Sequence, residues 1–206
     1  MHDQEHWEGI YSSKPADSVS WFQNHAETSL RLILHSGIPR SAAVIDAGGG
    51  ASTLVDDLLS AGYTDLTVLD LSSSALEASR KRLGKTARQV KWLQGDLLRT
   101  SLPRQVFDLW HDRAVFHFLG TPEERKAYAE NVLRSVKPGG YLVIATFADD
   151  GPERCSGLPV MRYGHEALAA VFGSGFSLLL HEREAHTTPE GVVQQFLYCL
   201  FRKAAQ

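Results

Sequence analysis

The 206-residue chain alternates short, continuously apolar runs with segments of helical periodicity, and this alternation constrains its fold more than any other feature. Residues 42–46, 66–70, 90–94, 106–110 and 141–147 read as five strands. Their runs are continuous, not alternating, as parallel strands covered on both faces require. Helical patterns lie between them at 52–61 and at 72–83, the latter with Ser72, Ser73 or Ser74 as its N-cap. A further helix opens at Thr121-Pro122-Glu123-Glu124 and stops before the turn Lys137-Pro138-Gly139-Gly140. Residues 176–184 and 192–202 also read as strands, but the segment between them is too short for a parallel crossover. The expected fold is therefore a doubly wound, mostly parallel seven-stranded α/β sheet that finishes in an antiparallel hairpin.

The length suits one domain over 1–206, with an N-terminal helical cap at 1–40 and the core at 41–206. The cap concentrates Trp7, Tyr11, Trp21 and Phe22, carries a helix at 27–35, and is expected to lie over the C-terminal edge of the sheet. With 43% hydrophobic and 22% charged residues, a sizeable core can form. A formal net charge of −3 gives no electrostatic ground for a nucleic-acid partner. The basic run Arg80, Lys81, Arg82, Lys85, Arg88 and Lys91 reads as a solvated face. No apolar run is long enough to span a bilayer, and Met1-His2-Asp3-Gln4-Glu5-His6 lacks the order of a secretory signal. Cys155 and Cys199 suggest neither a metal site nor a disulfide framework, so a cytoplasmic location is expected. Nothing in the sequence specifies an oligomeric state.

The first strand ends at Asp46 and runs into Gly48, Gly49 and Gly50 before a helix. Glycine admits positive φ and close approach of a ligand, and open α/β sheets bind ligands beyond the carboxyl ends of their strands. A glycine cluster alone is equally what a tight strand–helix turn needs. The acids around it sharpen the reading. Asp46 precedes the glycines, Asp70 ends the second strand where a carboxylate can take both hydroxyls of a ribose, and Asp96 follows the third.

With these residues the sequence resembles the class I S-adenosylmethionine (SAM)-dependent methyltransferases. Asp46-Ala47-Gly48-Gly49-Gly50-Ala51-Ser52 is similar to that family's first motif, and the resemblance runs from about Ser41 to the end. It implies SAM as cofactor and S-adenosylhomocysteine as product. It places Asp46, Gly48, Gly49 and Gly50 along the methionine and ribose portions and Asp70 on the ribose hydroxyls. Leu71 would pack on the adenine, Asp96 would take its amino group with Leu97 beside it, and Trp21 and His111 would line the cofactor. A nicotinamide-dependent oxidoreductase is the alternative for Asp70, although Thr53 stands where the third glycine of its fingerprint would fall.

The stretch Trp110-His111-Asp112-Arg113-Ala114-Val115-Phe116-His117-Phe118 ends the fourth strand, next to the expected methyl position. Its expected catalytic set is His117 as general base, Arg113 binding an anionic group of the acceptor, and Asp112; the competing reading makes them packed residues and loop braces. Arg154, Cys155, Arg162 and Tyr163, in the loop after the fifth strand, are further acceptor-side candidates. No Asn/Asp-Pro-Pro-Tyr motif follows the fourth strand, which argues against methylation of base amino groups. Methyl transfer to a small molecule is the leading expectation, and a closed pocket lined by Trp21, Arg113, His117 and Met161 would favour it. The N-terminal aromatics resemble a branch containing protein-lysine methyltransferases, where they would enclose an ammonium, so a protein acceptor is the first alternative. A SAM-binding protein without catalysis is the second.

Overall fold

The computed structural model describes residues 4–205; Met1, His2 and Asp3 of the stretch read for a secretory pattern lie outside the described residues. Seven strands share one sheet: β1 (Ala43–Ala47), β2 (Asp65–Asp70), β3 (Val90–Gln94), β4 (Phe107–Arg113), β5 (Val136–Phe147), β6 (Phe176–Thr187) and β7 (Val193–Lys203). Their order is β3-β2-β1-β4-β5-β7-β6, with the first five parallel and β7 antiparallel to both β5 and β6. Among the described residues six α-helices accompany them: α1 (Gln4–Ser13), α2 (Glu27–His35), α3 (Leu54–Ser60), α4 (Ser73–Leu83), α5 (Pro122–Ser135) and α6 (His165–Phe172).

Side chains alternate across a strand, so each strand feeds two cores. Val44, Leu109, Val143 and Leu200 join Ile33, Leu54 and Leu76 on the face that carries α2, α3 and α4. Ile45, Trp110, Ile144 and Cys199 join Tyr128, Val132 and Leu168 on the face that carries α5 and α6. A polar side chain at such a site is costly without a partner, so those found at the central strand ends mark function or bracing. β1 is buried throughout, as its apolar run requires. β3 departs from the expected continuous burial: it is an edge strand, and Lys91, Leu93 and Gln94 are exposed.

Two further features differ from expectation. α2 is a core layer and not part of a roof, because Ser29, Leu32 and Ile33 are buried against the sheet. α5 opens as expected with a capping box, the Thr121 hydroxyl accepting from the Glu124 N–H at 3.2 Å and the Glu124 carboxylate accepting from the Thr121 N–H at 3.1 Å. The Lys137–Gly140 turn is absorbed into β5 as a bulge: Phe107 pairs with Val136, yet Leu109 pairs with Tyr141. Gly139 there holds φ at +75°. Among the described residues no helix is long and apolar enough to cross a membrane, and no group of three or more metal-ligating side chains occurs.

Candidate active site

At the end of β1 the Gly48 N–H donates to the Leu69 carbonyl at 2.6 Å, with Gly48 φ at +75°. A Cβ on Gly48 would lie 2.1 Å from Val115 Cγ2, one on Gly49 2.3 Å from Asp46 Oδ2, and one on Gly50 2.6 Å from Asp70 Oδ2. Gly48 thus lets Val115 close in, while Gly49 and Gly50 leave room for the Asp46 and Asp70 carboxylates. α3 begins at Leu54, later than the expected 52, so Ala51, Ser52 and Thr53 lengthen the turn.

β4 continues to Arg113, three residues past its expected end at 110, so His111, Asp112 and Arg113 point alternately to opposite faces. His111 is the register partner of Asp46. Its Nδ1 lies 2.7 Å from Asp46 Oδ1, and its Nε2 lies 2.8 Å from the Ser29 hydroxyl on α2. Asp46 Oδ2 is buried and has no hydrogen-bond partner. This orphan oxygen and the glycine cradle are the features that a bound ligand with a cationic end would complete.

Two sequence expectations are corrected here. Asp112 faces α5, away from the glycine turn, and is fully buried. It accepts from the Tyr128 hydroxyl at 2.6 Å and from the N–H groups of Val115 and Phe116 at 3.1 and 3.3 Å. Burial pushes its carboxyl up to about 6, and the geometry makes it a brace. His117 is sealed in the core between Phe118 and Phe147, with the Phe147 N–H at 3.4 Å from its Nδ1. Burial, helped by the Arg113 charge, pushes it down to about 3, so it is neutral near pH 7 and a poor general base.

Two adjoining hollows lie beyond the strand ends. The larger, about 730 Å³ including its open mouth, is lined by Asp70, Leu71, Gly95 and Leu97 from the strand ends. Trp7, Tyr11, Trp21, Val115, Phe118 and Cys155 line it as well. The smaller, about 500 Å³, is lined by Asp46, Gly48, Gly49, Thr53 and His111. Tyr11, Trp21, Gly48 and Arg113 belong to both. Asp70 accepts from the Ser72 N–H at 2.8 Å, and burial together with the Asp46 and Glu8 charges raises its carboxyl to about 7. The Asp96 carboxylate is engaged locally. It accepts from the Leu98 N–H at 2.8 Å and lies 3.6 Å from Arg99 Nε, while its neighbours Gly95 and Leu97 line the hollow.

Residues before α2 roof these hollows. The Glu8 carboxylate accepts from the hydroxyls of Ser72, Ser73 and Ser74 at 2.7, 2.9 and 2.5 Å and from the Ser74 N–H at 3.1 Å, at the N-terminus of α4. Led by the Ser74 hydroxyl, these bonds lower Glu8 to about 2. Trp7 meets Phe118 and Trp21 edge-on at 5.0 and 5.9 Å, and the Trp21 indole donates to the Tyr11 hydroxyl at 3.1 Å. Arg113 fastens the far side: Nε donates to the Tyr198 hydroxyl at 2.8 Å, Nη1 to the Trp21 carbonyl at 2.9 Å, and the guanidinium lies 4.3 Å from the Phe196 ring centroid.

In the loop after β5, Cys155 alone of the expected acceptor-side residues lines the larger hollow, and burial pushes its thiol up to about 12. Arg154 turns back to the Gly157 carbonyl, Arg162 bonds the Gly151 carbonyl, Tyr163 packs on Phe116 in the other core, and Met161 is partly exposed. In the basic run, Arg82 braces the turn before α3, bonding Asp56 and the carbonyls of Ala51 and Ser52. Sequence reasoning missed Glu8, Ser29, Tyr198 and the wall residues Val115 and Phe118. The last two follow from recognising that β4 ends at 113; the others meet the site only through long-range packing.

Residues 44–140 match the family model described as a methyltransferase domain. The chain is 30% identical over 132 residues to nodulation protein S of Rhizobium tropici, covering 64% of this chain and 53% of that protein, so it spans about half that relative's length. It is 24% identical over 194 residues to human EEF1A lysine methyltransferase 2, covering 85% of this chain and 75% of that one. The crystal structure of Burkholderia thailandensis 1,6-didemethyltoxoflavin-N1-methyltransferase, with bound 1,6-didemethyltoxoflavin and S-adenosylhomocysteine, superimposes with a TM-score of 0.70 at 21% identity. That match covers 97% of this chain and 84% of the other.

Proposed function

We propose that the chain is a class I SAM-dependent methyltransferase, and that it methylates a small molecule held in the larger hollow beneath the N-terminal roof. The observation that carries this reading is the aromatic and apolar lining of the hollow, made by Trp7, Tyr11, Trp21, Phe118 and Val115, beside which Asp70 and Arg113 place one charge of each sign. Such a pocket suits a compact, largely apolar acceptor. The bound 1,6-didemethyltoxoflavin of the Burkholderia enzyme is consistent with an acceptor of this size.

We assign the cofactor to the two hollows together. Asp70 holds the ribose hydroxyls, Leu71 and Leu97 flank the adenine, and the glycine turn with Asp46 and His111 takes the methionine end. SAM supplies a methyl group on a sulfonium sulfur, which a nucleophile displaces in line. The chain's part is to exclude water and hold the acceptor in position. Burial keeps the Tyr11 phenol well above its ordinary pKa and the Cys155 thiol protonated, and His117 lies away from the wall. The acceptor should therefore bring its own lone pair, as a free amine or an already ionised group.

The reading is tested by incubating the protein with radiolabelled SAM and cell extract split into small-molecule and macromolecular fractions. Label transferred to a small-molecule product that separates from SAM supports it; transferred label carried only by protein would sink it. That second outcome would favour a lysine acceptor, for which Trp7, Tyr11 and Trp21 offer π faces and the human lysine methyltransferase the precedent.

A further inference from the structure

Arg113 lines both hollows, and its guanidinium is incompletely used. Its side chain is 10% exposed. Nε donates to the Tyr198 hydroxyl and Nη1 to the Trp21 carbonyl, but Nη2 is buried and makes no hydrogen bond. The Glu184 carboxylate lies 3.8 Å from that nitrogen, beyond hydrogen-bond reach, and is itself engaged by Gln23 at 3.0 Å. Buried charged groups rarely keep an idle donor. The charge also reaches the larger hollow: burial raises the thiol of Cys155, on its lining, and Arg113 opposes that rise. An anion entering beside Cys155 meets the same field and supplies the acceptor that Nη2 lacks.

Among the described residues lining the larger hollow, none is placed to take a proton from an acceptor. Burial keeps Tyr11 and Cys155 protonated, and Asp70 is assigned to the cofactor. At neutral pH an amine, a phenol and a thiol keep their protons, with ordinary pKa values of about 10, 10 and 8.5, whereas a carboxyl has lost its own above about 4. Methyl transfer to a carboxylate also cancels an anion against a sulfonium, while transfer to a neutral nitrogen leaves a cation beside Arg113, the costlier outcome in a water-poor site. We propose that the acceptor is a compact carboxylic acid with an apolar body, its carboxylate held at Arg113 Nη2 and converted to a methyl ester. This rests on the small-molecule reading above and names its substrate class. One carboxylate oxygen accepts from Nη2. The other bonds to the methyl carbon, the carbon–sulfur bond breaks with its electron pair left on sulfur, and no proton is released. The ester is uncharged and loses its hold on the guanidinium, while Trp7, Trp21 and Phe118 receive the apolar body.

Binding is measured by calorimetry with S-adenosylhomocysteine at saturation. The probes are phenylacetate and butyrate, each beside its amide, which has nearly the same shape and no charge. Wild type should bind at least one acid roughly 10- to 100-fold more tightly than its amide, the range for a hydrogen bond to a charged group. Acids that bind wild type no better than their amides overturn the proposal without any substitution. Arg113→Gln should lose the preference and keep wild-type affinity for S-adenosylhomocysteine, which also reports a folded site. A matching loss of S-adenosylhomocysteine affinity would place Arg113 on the cofactor and overturn the proposal. Turnover supplies a second arm. With radiolabelled SAM and either these acids or the small-molecule fraction of a cell extract, the labelled product should release volatile methanol in alkali, as methyl esters do. A small-molecule product that keeps its label in alkali overturns the carboxylate and leaves the small-molecule reading standing. Transferred label carried only by protein removes that reading, and this proposal with it.

Discussion

Gly48 is where one methyl group does most damage. Its φ of +75° strains any L side chain, and the new Cβ would meet Val115 Cγ2 at 2.1 Å. Gly48→Ala should lower stability by about 1–3 kcal/mol and weaken S-adenosylhomocysteine at least tenfold, read by thermal unfolding and calorimetry. Asp70 gives a pH signature. Its carboxyl sits at about 7 in the fold against an ordinary 3.8. Between those values the native state binds more protons than the unfolded chain, so ligand-free stability falls as pH rises from about 4 to about 7. Asp70→Asn should remove that fall, melting higher than wild type above neutrality and equally near pH 4, while losing cofactor affinity. Unchanged melting curves across that range would refute the buried charge. Asp46, Asp70 and the glycines were legible because each stands at a strand end that the local sequence marks. Asp112 and His117 were left between a catalytic and a packed reading because their roles hang on where β4 ends and which face each residue takes. A three-residue error in that end turns apparent loop residues into strand residues whose direction is set by parity.

At the scale of elements, the roof is held by few groups, and Glu8 is the most accessible to test. Its carboxyl is depressed from 4.5 to about 2, so its contribution is complete above the ordinary carboxylate range and is lost only as pH falls through about 2. Protection of α1 amides against hydrogen exchange should therefore be level from about pH 5 to 8. Glu8→Gln should speed exchange across α1 by roughly tenfold while leaving β1 and β4 unchanged. Equal exchange in the two proteins would show that the aromatic contacts of Trp7 alone seat the helix. The antiparallel hairpin was readable from the shortness of the link between β6 and β7, which leaves no parallel option. The seat of α2 was not, since a nine-residue amphipathic helix suits a roof or a core layer equally until the sheet beneath it is known.

Across the whole molecule, ligand binding and folding are linked. At a free ligand concentration of about 100 times Kd, S-adenosylhomocysteine should add about 2.7 kcal/mol to stability. A chain of this length should then melt roughly 5–10 °C higher. A shift under 1 °C at saturation would contradict a site formed by the native fold. The Glu8 and Arg113 fastenings also bear on time. They hold α1 on α4 and the Trp21 segment on β4 over the cleft, so the release of spent cofactor should follow how often this cover loosens. Turnover should then show a rapid first round followed by a slower steady rate, and weakening the Glu8 contact should quicken the second phase without touching the first.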